Sequence, residues 1–443
     1  MPLYVAPPPD HQALFAKLDG EDLVRVFRAG EELEEYVHWD KLRHLDPPDG
    51  ITREEWWLAL KLRRQSSRRV IPLASPTGMP FYYTLPDEVL RLLHFADQRC
   101  SGEIAMPEVV TADGHAKRHY LVNSLMEEAI RSSQLEGATT SRRVAKELLR
   151  TGRNPQNRSE RMILNNYRAL RFMRDEIGET LTPEAVLELQ RILTEGTLDN
   201  PDAAGRLQRP DEKRIAVLDR GDGSVLHAPP PAEQLPTRLD ALCRFANADT
   251  DDGGFIHPAV RAILLHFWLG YDHPFEDGNG RTARAVFYWY MRTHGYWLVE
   301  YLSISRILAK APSQYSKAFL LTETDEGDTT YFLLYQLQVI ERAVHELHRY
   351  LQRKVAQIRT VERLIKGESS FNHRQLALLS DALRTPDRIY TFSGHAGSHQ
   401  VTHESARKDL TDLANRGLLI RHRMGREYTF VVPDDLTDRL QAL

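Results

Sequence analysis

The twelve residues His273-Pro274-Phe275-Glu276-Asp277-Gly278-Asn279-Gly280-Arg281-Thr282-Ala283-Arg284 constrain this chain more than any other stretch. They join a helical pattern over about 258–271, with Pro258 near its first turn, to a second running from about Gly280 to His294 and ending at Gly295. The connection must therefore turn between two helices while carrying a potential base, a carboxylate, a Gly-Asn-Gly turn and two arginines at i, i+3. A base suits proton abstraction and a carboxylate suits Mg²⁺. Glycines expose backbone N–H groups, and a helix start favours anions through its free N–H groups and its dipole. Arg281 and Arg284 can share one helix face and grip further phosphate oxygens. The pattern is that of a nucleotide site at a helix start.

The rest of the chain bounds what that site can belong to. A length of 443 residues exceeds one typical core, so two to four domains are expected. Hydrophobic residues make up 42% and charged residues 27%, with a formal net charge of −4. That balance excludes a globally basic nucleic-acid binder and leaves room for a local basic patch. Cys100 and Cys243 have no metal-type spacing and are too few for a disulfide scaffold, which fits a reducing cytoplasm. The N-terminus lacks a basic region followed by an apolar one, so no signal peptide is expected. No apolar run approaches the roughly 20 residues of a membrane helix. The expectation is a soluble cytoplasmic protein with no membrane partner.

Four regions follow from periodicity and breakers. Residues 1–75 read as an accessory region, in which Thr52 and Glu55 have capping-box spacing ahead of Trp56-Trp57-Leu58-Ala59-Leu60. Trp39, Trp56 and Trp57 favour buried packing over a recognition surface. Residues 76–345 read as the main helical domain. One helix runs from about Tyr120 to Leu135 and stops at Gly137; the next follows Thr139-Thr140-Ser141; another is capped near Thr182 with Pro183 in its first turn. Between about 205 and 231 the helical pattern breaks. Arg214 to Leu218 and Ser224 to His227 flank Arg220-Gly221-Asp222-Gly223, which is a hairpin signal closed by Pro229-Pro230-Pro231. Such a hairpin is either a plain surface feature or an edge that holds an extended peptide.

From Leu333 to Ile365 apolar residues recur every seven positions in two interleaved series, interrupted at Lys354, predicting a helix about 50 Å long. It either packs along the core or uses its C-terminal half to form a homodimer. Residues 346–370 read as a helical linker ending at Gly367-Glu368-Ser369-Ser370. Residues 371–443 read as a winged helix-turn-helix module: helices at about 373–384 and 402–416, a segment broken by Gly394 and Gly397 between them, then strands Leu418 to Arg421 and Glu427 to Val432 turning at Met424-Gly425. Arg407, Lys408, Arg416, Arg421, Arg423 and Arg426 outnumber the acids between 402 and 426, so DNA is one candidate partner of 371–443 and a protein surface the other.

The stretch from His273 to Arg284 resembles the signature of the Fic family, His-Pro-Phe-x-Asp/Glu-Gly-Asn-Gly-Arg-x-x-Arg, and matches every fixed position. The resemblance extends over about 115–345. It implies a mainly α Fic-type helical core with a β-hairpin flap, and a C-terminal winged helix accompanies some members. It further implies transfer of AMP from ATP to a Ser, Thr or Tyr hydroxyl of a target protein, or of the chain itself, with release of pyrophosphate. On that reading His273 is the base, Phe275 anchors the loop, and Asp277 holds Mg²⁺. Gly278, Asn279 and Gly280 form the anion hole, Arg281 contacts the β-phosphate and Arg284 the γ-phosphate; Thr282 and Ala283 complete the nucleotide-binding turn. Many members have Gly where Ala283 stands. Tyr315 lies where members often place a tyrosine near the nucleotide, though it equally suits the core. Ile215, Ala216 and Val217 of the flap would pair with target backbone.

A second motif, Ser132-Ser133-Gln134-Leu135-Glu136-Gly137, resembles the family's inhibitory pattern Ser/Thr-x-x-x-Glu-Gly/Asn, N-terminal to the core. It implies that Glu136 pairs with Arg284 and draws it away from the γ-phosphate. Removal of AMP with Glu136 aligning water, use of another nucleotide, and a DNA-binding regulator that only senses ATP are the competing readings. The spacings of His257, His266 and His273 place no two on one helical turn, which disfavours zinc.

Overall fold

The computed structural model describes residues 4–442 apart from 31–34, 102–113, 219–222, 224, 249–253, 368–369, 385–387 and 425–426; side chains at 114–121, 354–355, 357–367, 384, 424 and 427 also lie outside the description. The expected turns at Arg220 to Asp222 and at Gly425, with Arg426 and the linker residues Glu368 and Ser369, fall there. The chain forms two compact units, one of Met1–Gly102 and Ser124–Val344, the other of Glu103–Asn123 and His345–Leu443. The described elements are mainly helices with small sheets.

Local sequence explains the helix ends of the first unit. Thr52 Oγ1 accepts from Glu55 N at 3.1 Å and Glu55 Oε2 accepts from Thr52 N at 2.8 Å, so the capping box opens the helix Arg53–Gln65. Trp56 and Trp57 are buried, and Trp39 packs edge-on to Trp57, so these rings are core. The helix Gly114–Leu135 begins earlier than the periodicity indicated and ends where Gly137 turns to φ +102°, with Ala138 N donating to Ser133 O at 2.9 Å. Ser141 and Thr182 cap the helices Arg142–Thr151 and Pro183–Thr194.

Residues 1–75 belong to the same compact unit as the rest of the helical core. The buried Lys61 ammonium lies 2.6 Å from Asp325, Arg64 donates to the Tyr331 hydroxyl at 2.9 Å, and Tyr36 donates to Asp328 at 2.6 Å. Removing one partner would leave the other charge buried and uncompensated, which costs several kcal/mol, so these contacts fix how the N-terminal region meets the turn at 325–330.

At the centre of this unit, the helix Pro258–Asp272 is buried almost all round. Phe267 stacks on Phe319 at 5.2 Å and meets Phe332 edge-on. Against it packs the helix Asn279–Thr293, called the motif helix below, with Trp289, Tyr290 and Phe287 buried. The long helix is continuous over Thr330–Gly367, and its Leu333, Leu337, Ile340 and Val344 are buried within the first unit. Among the described residues no helix is long and apolar enough to cross a membrane.

In the second unit, the helix His373–Arg384 precedes a short strand Tyr390–Thr391, the helices Phe392–His399 and His403–Asn415, and the hairpin Ile420–Met424 with Glu427–Val431. The order in the sheet is Tyr390–Thr391, Glu427–Val431, Ile420–Met424, all antiparallel. The segment carrying Gly394 and Gly397 is helical despite them, because Thr391 caps it by accepting from Gly394 N at 3.1 Å. Leu379, Leu410, Leu413, Leu418 and Phe430 make its core.

Candidate active site

The loop between the two central helices is built from its own side chains. His273 caps the first helix in the left-handed region, φ +44° and ψ +53°, while its N–H still donates to Leu269 O at 3.1 Å. A non-glycine residue held there costs about 1–3 kcal/mol and persists where its surroundings impose it. The buried Asn279 supplies that imposition. Its Oδ1 accepts from Phe275 N at 2.9 Å, its Nδ2 donates to Phe275 O at 2.8 Å, and the same Nδ2 lies 3.2 Å from His273 Nδ1. Phe275 is wholly buried and pins the loop to the core. Pro274 O accepts from Gln208 N at 2.9 Å, and Asp277 O from Gln190 at 3.0 Å.

Gly278, at φ +89°, occupies the N-cap of the motif helix, so that helix begins at Asn279, one residue before the position read from sequence. Gly278 supplies no side-chain cap, which leaves the first-turn N–H groups to other acceptors. Thr282 N takes up the first helical bond, to Gly278 O at 2.8 Å, while the Thr282 hydroxyl is buried without a hydrogen-bond partner. The Ala283 methyl is fully buried, so it fills core space.

The two arginines point to different partners. Arg281 is buried, its Nη1 donates to Leu193 O at 3.0 Å, and its Nη2 lies 3.0 Å from Asp277 Oδ1, off hydrogen-bond alignment. Asp277 Oδ1 also accepts from Gly278 N, and the side chain is 36% exposed. Arg284 is also buried. Its Nε donates to Ser132 Oγ at 2.9 Å, its Nη2 to Glu136 Oε1 at 2.8 Å and to Ser132 O at 3.3 Å, and its Nη1 has no hydrogen-bond partner. Burial opposes the charge of Arg284, but Glu136 and its other neighbours more than restore it, so its pKa stands above the usual value. A Cβ at Gly280 would collide with the Glu136 carboxylate and come within 2.9 Å of Arg284 Nη1. Glycine at this position thus admits a carboxylate to the uncapped start of the motif helix. Gly137, just beyond, ends the helix that delivers it.

Around this centre stand Glu128, Arg214, His227 and Asp272, which the sequence motifs did not single out. Glu128, Ser132 and Glu136 recur at four-residue spacing, so they share one face. The buried Glu128 carboxylate accepts from Ser303 Oγ at 2.9 Å and Ser305 N at 3.1 Å, and burial raises its pKa despite those bonds and Arg284. The repeat was legible; its partners were not. Arg214 donates to the carbonyls of Asp272 at 2.7 Å and His273 at 3.1 Å. His227 bridges Glu323 and Tyr271 O, each at 2.7 Å. Asp272 is buried against Arg238 and Trp268. A lone Arg, His or Asp carries no spacing signal that would have marked these.

Arg214 and His227 tether the base of the hairpin to the end of the Pro258–Asp272 helix. Val217 pairs with His227 and Leu218 with Val225, across a bulge, so among the described residues the strands are Val217–Leu218 and Val225–His227, and Arg214 to Ala216 lie outside the first. Ile215 is exposed, and Ala216 and Val217 are partly so. Tyr315 shares a hydrogen bond of 2.7 Å with the buried His266 and lies near Arg284. Burial, then Arg284, lowers the pKa of His266 to about 3. His257 caps the Pro258–Asp272 helix and meets Asp97. Packing around His273 lowers its pKa to about 4, with His227 adding to the effect, so the ring is neutral near pH 7. Among the described residues no group of three or more His, Cys, Asp or Glu could hold a metal ion.

Residues 180–291 match the Fic/DOC family model. The chain is 24% identical over 221 residues to protein adenylyltransferase Fic of Nematostella vectensis, covering 48% of this chain and 46% of that one. It is 34% identical over 70 residues to protein adenylyltransferase Fic of Drosophila melanogaster, 16% of this chain and 14% of the relative. It therefore spans less than half the length of these curated relatives. A crystal structure of a Fic family protein from Desulfovibrio desulfuricans G20 superposes with a TM-score of 0.52 at 17% identity, over 80% of this chain and 98% of that one.

Proposed function

We propose, from the premise that this chain belongs to the Fic family, that it transfers AMP from ATP to a hydroxyl of a protein target and is held in check by its own Glu136. The observation that carries the second half is the Glu136 carboxylate, bound to Arg284 beside Gly280 at the uncapped start of the motif helix. A helix start of this kind is an anion site. Here a carboxylate of the chain takes up the cation and the space that a terminal phosphate would need.

In the reaction, the target hydroxyl oxygen attacks the α-phosphorus in line, the bond to the bridging oxygen breaks, and pyrophosphate leaves. The hydroxyl proton passes to His273. The low pKa of that ring keeps it neutral, with a lone pair open to the proton, and also makes it a weaker base than an exposed imidazole. The Asn279 amide faces Nδ1 with an N–H, which favours the ring hydrogen on Nε2; acting as base at Nε2 requires the other tautomer, and one 3.2 Å contact is a small barrier to it. First-turn N–H groups at Asn279 and Gly280 would meet the phosphates, and Arg284, freed from Glu136, would hold the last of them. Arg281 braces the Asp277 turn, and its Nε, buried without a partner, is a donor available to the β-phosphate. Tyr315, fixed by His266, would line the nucleotide beside Arg284.

Mg²⁺ usually keeps its waters and phosphate oxygens and needs only one or two protein carboxylates, so the part-exposed Asp277 is a fitting single ligand. When bound, the ion would neutralise charge developing on the leaving phosphates. The hairpin carrying Ile215, Ala216 and Val217 would pair with target backbone, which gives affinity with little side-chain selectivity.

Glu136→Gly should switch on transfer of label from α-labelled ATP to protein, and adding His273→Ala should abolish it. Absence of labelling by Glu136→Gly, on lysate proteins and on itself, would falsify the proposal. Loss of AMP from a pre-labelled target, faster in the wild type than in Glu136→Gly, would instead favour the hydrolytic reaction.

A further inference from the structure

The module formed by residues 371–443 separates its charges in an unusual way. Its described arginines on other surfaces are paired: Arg374 with Asp409 at 2.7 Å, Arg388 with Asp381 at 3.0 Å, Arg416 with Asp412 at 3.1 Å and Arg439 with Asp435 at 2.8 Å. Arg407 and Lys408 on the helix His403–Asn415, and Arg421 and Arg423 on the strand Ile420–Met424, are exposed and make no ion pair among the described residues. Ten Lys and Arg stand against nine Asp and Glu over 371–443, so the module as a whole is near neutral. Among the described residues, its unneutralised positive charge lies on these two elements.

The two elements are neighbours. Phe392 bridges them, with ring centres 5.5 Å from His403 at the start of the helix and 6.4 Å from Tyr428 on the hairpin. The Arg421 guanidinium lies 5.1 Å from the Tyr428 ring, and Arg423 sits opposite Tyr428 in the strand register. Arg407 falls one turn after His403, on the same side of the helix. One surface therefore runs from Arg407 through His403 to Arg421 and Arg423.

Its scaffold suits a groove. The helices Phe392–His399 and His403–Asn415 are joined by Gln400, Val401 and Thr402, with Gln400 in the left-handed region at φ +52°. Two helices on a three-residue turn, the second presenting its N-terminal half, is the arrangement that enters the DNA major groove. That groove, about 12 Å wide, admits a helix, whereas the major groove of duplex RNA is too deep and narrow to be read. Ala406, Leu410 and Leu413 bury one flank of the helix, while His403, Glu404, Arg407 and Lys408 stay exposed along the rest of its N-terminal half.

We propose that this surface binds double-stranded DNA, the helix His403–Asn415 in the major groove and the hairpin on the adjoining phosphates. The test uses the full chain and a fluorescent duplex of about 25 base pairs of mixed sequence, titrated between roughly 50 and 300 mM salt. Four phosphate contacts predict that log K falls against log salt with a slope of about −3 to −4. Arg421→Glu with Arg423→Glu should weaken binding by at least about tenfold and reduce that slope by about 2. Arg439→Ala, which removes a cation from a different surface, should leave affinity unchanged. Circular dichroism of each variant checks that it is folded. No binding at the lowest salt, equal affinity in the double variant, equal binding of an RNA duplex of the same sequence, or preference for poly-glutamate over DNA would each overturn the proposal, the last pointing to an acidic protein partner instead.

Discussion

Two helices of this chain carry neighbouring cations near their N-termini, and they use them in opposite ways. The motif helix Asn279–Thr293 buries Arg281 and Arg284, each facing a carboxylate. The helix His403–Asn415 exposes Arg407 and Lys408 and gives them none among the described residues. A buried arginine is tied to the few groups that satisfy it, so one competing carboxylate decides its availability. An exposed one is available at all times, and its attraction is set by salt. The first arrangement suits a switch, the role proposed above for Glu136. The second makes a contact surface whose strength varies smoothly with conditions.

The contrast can be broken most sharply at the first helix. In the Glu136→Gly background, His273→Ala should lower the labelling rate by about 10²–10³-fold, the effect expected for a base held in position. Single-turnover labelling measures it; a loss under tenfold would mean that His273 does not take the proton. On the second helix the corresponding weak point is its buried acid, because Asp409 accepts from Arg374, Asn372 and His395. Asp409→Ala should destabilise the module by about 1–2 kcal/mol, since the buried His395 ring and the Asn372 amide lose their acceptor. Urea unfolding followed by fluorescence or circular dichroism reads this.

Acid separates the two units by a comparable amount per group. His38, His266 and His273 of the first unit have pKa values lowered by burial to about 4, 3 and 4. Below pH 6.5 the unfolded chain binds protons that these folded rings refuse. Their contribution is complete above that pH and is lost as pH falls toward 4, on the order of 1–2 kcal/mol per ring by pH 5. Melting of the first unit should therefore drop between pH 6.5 and 5, followed by differential scanning calorimetry. The base itself should stay competent across that range, so an acid limb in the rate near pH 6.5 would contradict a neutral, buried His273. Smallest of all, Arg407→Ala or Lys408→Ala should change stability by no more than about 0.5 kcal/mol, as for surface cations that pair with nothing. A larger loss in the same unfolding assay would show that these residues belong to the fold rather than to a binding face.

How much of this was legible varied by distance along the chain. Thr52 with Glu55, Ser141, Thr182 with Pro183, and Gly137 announced helix ends correctly because caps act within three or four residues. The glycine-broken segment at 392–399 was harder: a strong cap at Thr391 and packing of Phe392 on Phe430 outweigh poor intrinsic propensity. The first strand of the hairpin was read to begin at Arg214, and nothing local reveals that Arg214 will be spent on carbonyls 58 and 59 residues away. Arg281 and Arg284 were given different roles by the resemblance, but their contacts with Leu193 and Ser132 had no local signal and came from packing.

By itself, the sequence determined the chemistry at hand: a histidine, an aspartate, a glycine-bearing turn and two arginines compressed into twelve residues, where spacing alone forces them to one helix start. It also determined that Glu136 would close a helix, through the glycine behind it. The resemblance of its second motif also implied that Glu136 would pair with Arg284, across 148 residues. Tertiary structure alone decided that Ser132 shares the Arg284 guanidinium, and that residues 1–75 join the core through Lys61 and Arg64. It likewise brought Arg421 and Arg423 of the hairpin near the start of the helix His403–Asn415, through Phe392. The reason is that local rules act through backbone hydrogen bonds a few residues apart. The pairing of distant charges depends on which of them the folded core leaves buried together.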